Sequence, residues 1–214
     1  ALAYAQADMW EDALPAFERV IRPSPDDVSA LMQAALVSMN TGDHQHSIEL
    51  LHRAAAFEPE NADVHAQLAH VYASEERWEE ARDSITAAIE LDNRDEKFYH
   101  QLGKYQTTLG DSEAALSAFS RASEIDPENA AVLEALAEAQ FREENFHDAH
   151  NTFLRAADVL RMQTGEDMET DVCFAQRFAI LGRAGDALVA QQQEPQAIAL
   201  WQKALLEDPN DASL

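Results

Sequence analysis

The feature that most constrains this chain is a period of 34 residues. The segments Glu58-Pro59-Glu60-Asn61 and Asp126-Pro127-Glu128-Asn129 are near copies, and their prolines lie 68 residues apart, twice 34. Pro25 falls 34 before Pro59, and Asn93, in Leu91-Asp92-Asn93-Arg94, stands where the intervening proline would be. Asp208-Pro209-Asn210-Asp211 is a further copy. A fixed period of this size specifies an array of equal supersecondary units, each burying its apolar face against its neighbours.

Two stripes run through every period. Phe17, Leu51, Ile85, Phe119 and Trp201 mark a bulky slot. Small residues flank it at helical spacing: Ala54, Ala88, Ala122, Ala156 and Ala204 three residues later, and Ala13, Ser47, Ala81, Ala115, Ala149 and Ala197 four residues earlier. Upstream, Leu31, His65, Tyr99, Leu133 and Leu181 share a slot, followed four residues on by Ala35, Ala69, Gly103, Ala137 and Gly185. Tyr4 and Tyr72 fill an aromatic slot three residues further, where other repeats carry Ser38, Gln106, Gln140 and Leu188. Spacings of three and four place each set on one helix face, and the small residues let two helices approach closely.

This pattern resembles the tetratricopeptide repeat, with Trp10 and Trp78 in the aromatic slot that opens the second helix. The resemblance implies an all-α fold, a right-handed α-solenoid of antiparallel helix pairs. It covers nearly the whole chain as a single array over 1–214: a truncated repeat 1–27, repeats 28–61, 62–95, 96–129 and 130–163, an insertion at 164–177, and a repeat at 178–211. Both ends fall at or inside repeats and no polar capping helix is evident, so the array reads as part of a longer protein.

Three places depart from the period. Pro15 lies where the second helix of the first repeat should run, so a late start or a bend is expected there. Pro195 sits at an ordinary helix start. In the insertion, the stretch from Thr164 reads as a polar loop. Phe174 and Phe178 then extend the stripe upstream of Leu181, which predicts a lengthened first helix beginning near Thr170 or Asp171. Cys173 there reads as a small buried apolar residue.

Charge excludes several functions. The 40 Asp and Glu against 15 Lys and Arg give −25, which repels nucleic-acid backbones and anionic membrane surfaces. No 18-residue apolar run exists to insert in a membrane. One cysteine allows no intramolecular disulfide; this fits the cytoplasm slightly better, with the periplasm still open. No phosphate-binding glycine loop and no nucleophile elbow occurs, so no cofactor is assigned and the chain is read as non-enzymatic. His44 with His46, and His147 with His150 beside Glu143 and Glu144, have ligand-like spacing, but no metal is assigned and the histidines read as solvated.

The resemblance also implies a groove lined by the first helix of each pair. Its residues would be Ser29, Met32, Gln33, Leu36 and Met39 in one repeat, Asp63, Ala66, Gln67 and His70 in the next, and Lys97, His100, Gln101, Lys104 and Thr108 in the third, with Glu134, Glu138, Phe141 and Arg142 beyond. Met32, Leu36 and Met39 form an apolar strip suited to a peptide. Lys97 and Lys104, two of only three lysines, flank His100 as a basic island that either meets a partner's carboxylates or neutralises Glu134 and Glu138. Some family members clamp a chaperone's C-terminal carboxylate with Lys and Asn, but those slots here hold Met32, Leu36, Ala66 and His70, so that activity is not carried over. The resulting expectation is a non-catalytic scaffold or adaptor that binds a protein or peptide segment, within a larger complex. The alternatives are the repeat region of a larger enzyme such as a transferase, or an assembly or secretion co-chaperone.

Overall fold

A computed structural model describes Arg19, residues 24–164 and residues 171–206; side chains at 164, 171–174 and 206 are not described. The first repeat, with Tyr4, Trp10, Ala13, Pro15 and Phe17, lies outside the described residues apart from its end. The first half of the insertion and the loop at Pro209 lie outside them too. Ten helices and no strand occur among the described residues: α1 Val28–Asn40, α2 His44–Phe57, α3 Ala62–Ser74, α4 Trp78–Leu91, α5 Glu96–Leu109, α6 Ser112–Ile125, α7 Ala130–Arg142, α8 Phe146–Thr164, α9 Asp171–Ala190 and α10 Glu194–Leu206. The chain divides into two compact units, Ala1–Gly110 and Asp111–Leu214. In the first, each helix from α1 to α4 packs on the one that follows it, and α1 also touches α3. In the second, each helix from α6 to α9 does the same.

The period is written into the helix ends. Asp27, Asn61, Asp95 and Asn129, at steps of 34, precede α1, α3, α5 and α7, and each side chain accepts from a backbone N–H of the first turn. Such caps replace hydrogen bonds that a helix start otherwise leaves unmade. Asp43 and Asp111 cap α2 and α6 in the same way. At Arg77 the cap is missing; its guanidinium instead lies 4.5 Å from the Tyr72 ring centroid and pairs with Glu80 at 2.9 Å.

The turn inside each pair needs one left-handed residue. Gly42, Glu76, Gly110 and Glu144 hold it at steps of 34, with φ between 58° and 83°. Gln192 follows 48 residues after Glu144, which is 34 plus the 14 positions of the insertion. Glycine enters this region without a Cβ penalty, whereas glutamate does not. Glu144→Gly is therefore expected to stabilise the second unit by about 0.5–1 kcal/mol. Urea unfolding checks it, and an unchanged or lower midpoint contradicts the assignment.

The slots become the core. Leu51, Ile85 and Phe119 are buried, and Phe153 joins them in the same register. Ala54, Ala88, Ala122, Ala156, Ala81, Ala115 and Ala149 pack around them, all essentially inaccessible. Ser47 keeps a hydroxyl in this interior by donating to the Ala35 carbonyl at 2.8 Å. The loop carbonyls are served by a periodic device. Arg53 donates to Pro25 O at 3.4 Å and Arg155 to Pro127 O at 2.9 Å, each reaching back 28 residues. Ala87 occupies the same slot one period after Arg53, and there His65 donates to Pro59 O at 3.0 Å; Arg121, one period further, pairs with Glu124 at 2.8 Å.

The insertion lengthens both flanking helices. α9 starts at Asp171, as the stripe through Phe174 and Phe178 indicates, and runs 20 residues. α8 runs 19 residues to Thr164, beyond the shorter helix the period suggests, with Gln163 donating to the Glu128 carbonyl at 2.8 Å. α10 starts at Glu194 with Pro195 in its first turn, where a missing N–H costs nothing.

Candidate functional site

The ten residues proposed as a groove lie on α1, α3 and α5 of the first unit. Each of these helices spends its inner stripe on the core: Leu31 and Ala35, then Leu68 and Ala69, then Phe98 and Tyr105. What remains outward on α1 is Ser29, Gln33 and Leu36; Leu36 is 38% exposed. Met32 and Met39 need a correction: both are half-buried and packed against the core, which a long flexible side chain can reach from the edge of a helix face. The apolar part of this face thus narrows to Leu36 with the accessible edges of the two methionines.

On α3, His70 is exposed and Gln67 half-buried, with Ala66 against the core. On α5, Lys97 and Lys104 are exposed and two turns apart, so they project from one side of the helix. Neither is paired with a carboxylate among the described residues; the nearby Asp95 carboxylate accepts the Lys97 backbone N–H at 2.8 Å. His100, between the lysines, is half-buried. Burial first, then the positive charge of Lys104, hold its pKa below the ordinary 6.5, so it is neutral near pH 7. The charge of this face at that pH is therefore set by the two lysines. Tyr105 faces inward, its centroid 6.3 Å from that of Trp78, and burial pushes its hydroxyl up to about 12.

In the second unit, Glu138 on α7 forms an ion pair with Arg183 on α9. One of the two acids considered as a neutraliser of the lysines thus has its own partner. Phe141 stacks edge-on against Phe146 at 5.2 Å.

The histidines are more engaged than solvated side chains would be. His150 is half-buried, and its Nδ1–H donates to Ala184 O at 2.8 Å, tying α8 to α9. His52 shares a 3.1 Å hydrogen bond with the Tyr72 hydroxyl. His44 shares one of 3.0 Å with Ser74 Oγ and lies 3.8 Å from Glu75. His147 is bonded to Asn151 at 3.2 Å. Among the described residues no group of three or more His, Cys, Asp or Glu is placed to hold a metal ion. No described helix is long and apolar enough to cross a membrane.

Three models of the tetratricopeptide repeat match the chain, at residues 1–62, 39–103 and 96–129. Among curated proteins, BBSome complex member BBS4 from Bos taurus is 28% identical over 126 residues, 59% of this chain and 24% of that protein; the Mus musculus counterpart is 26% identical over the same span. The chain thus spans about a quarter of the length of these relatives. Among solved structures, a crystal structure of MamA matches with TM-score 0.73 at 16% identity, covering 87% of this chain and 96% of that one. YrrB, described as a TPR protein with an unusual peptide-binding site, matches with TM-score 0.72 at 16% identity, covering 91% and 93%. At such identity these structures establish the helix-pair fold.

Proposed function

We propose that this chain, which belongs to the tetratricopeptide repeat family, is a non-catalytic scaffold that holds a segment of another protein on the α1–α3–α5 face. One observation carries the reading: packing consumes the inner stripe of each first helix but leaves Leu36, His70, Lys97 and Lys104 outward and without a structural task. An exposed leucine beside half-buried methionines, ringed by polar groups, has the make-up of an interaction site. The peptide-binding site described for YrrB, a TPR protein, and the complex membership of BBS4, a sequence relative over 59% of this chain, support this reading. Membership of a larger complex is part of the proposal.

The double substitution Leu36→Glu with His70→Glu tests it. Both residues are outward, so circular dichroism and the unfolding midpoint should stay within about 0.5 kcal/mol of the parent. Partners that co-purify with the native protein in stoichiometric amounts should be lost from the variant. An unchanged set of bound proteins would sink the assignment to this face.

A further inference from the structure

We draw no further inference here: the strongest candidate, the apolar face of the α9–α10 pair in the second unit, where Phe178, Gly182 and Trp201 line a pocket and Ile198 and Leu205 are exposed on the same pair, carries nothing because nothing in the structure shows what covers it.

Discussion

Phe153→Ala is expected to remove about 3–5 kcal/mol from the second unit, the largest single loss in the described core. The ring is wholly inaccessible and sits at the centre of a cluster with Leu133, Ala137, Ala149, Ala156, Ala157, Ile180 and Ala184. Most of these neighbours are alanines on three different helices. Alanine cannot swing a longer side chain into the space the ring leaves, so the cavity stays open and its cost adds to the lost transfer free energy. The ring's neighbours on α7 and α9 make α8 the element through which three helices are held, so the loss should appear as cooperative melting of the second unit. Thermal unfolding should shift by roughly 10 °C for a chain of this size, and the cleaner measure is the urea midpoint at constant slope. Phe153→Leu, which keeps most of the volume, should recover more than half of the difference. A loss below about 1 kcal/mol for the alanine change would mean that this cluster does not hold α8.

Phe153 also shows what was legible in the sequence and why. The 34-residue period located the bulky and small slots, and among the described residues the small slots are buried, with Leu51, Ile85 and Phe119 of the bulky one, because close helix packing demands volume matching at fixed spacing. The family followed from the same slots. What the period did not reveal lay in atoms it does not constrain. Met32 and Met39 share spacing with Leu36, yet their flexible side chains reach the core while the leucine stays outward. Periodicity assigns a face but not the reach of a side chain. The two arginines that serve loop carbonyls, Arg53 and Arg155, lie three periods apart, and His65 serves the Pro59 carbonyl where the slot holds Ala87, a pattern too sparse to read before the hydrogen bonds are seen. Gln101 was legible as a groove position, but its buried and unpartnered amide oxygen was not, since hydrogen-bond satisfaction is a property of the packed state. His150 reads as solvated in the sequence and instead bridges two helices, because its neighbour across the sequence gap is a backbone carbonyl.

Two glycines on α9, three residues apart, should respond to the same substitution with opposite sign. An ideal Cβ at Gly185 would fall 1.9 Å from Trp201 Nε1, 2.4 Å from Cε2 and 2.9 Å from Cδ1, so the indole lies directly on the glycine. Its Nε1–H donates to the Gly182 carbonyl at 3.3 Å, which fixes the ring across this part of the helix. In the small slot that Gly185 shares with Ala35, Ala69, Gly103 and Ala137, the absent Cβ here leaves the space that the Trp201 indole occupies. Gly185→Ala must displace the ring, losing its hydrogen bond and its contacts. Overpacking of this kind costs about 1–3 kcal/mol, more than the roughly 1 kcal/mol that alanine gains over glycine inside a helix. At Gly182 a Cβ meets nothing within 4 Å, so Gly182→Ala keeps the helix-propensity gain and is expected to stabilise by about 0.5–1 kcal/mol. The measurement is the unfolding free energy of both variants, with tryptophan fluorescence reporting the indole's surroundings. Replacing Trp201 by Leu should remove most of the penalty of Gly185→Ala in a double-mutant cycle, since the two residues are in contact and their effects cannot add. Should both glycine variants shift stability in the same direction, or should the cycle show no coupling, Trp201 does not rest on α9 at Gly185.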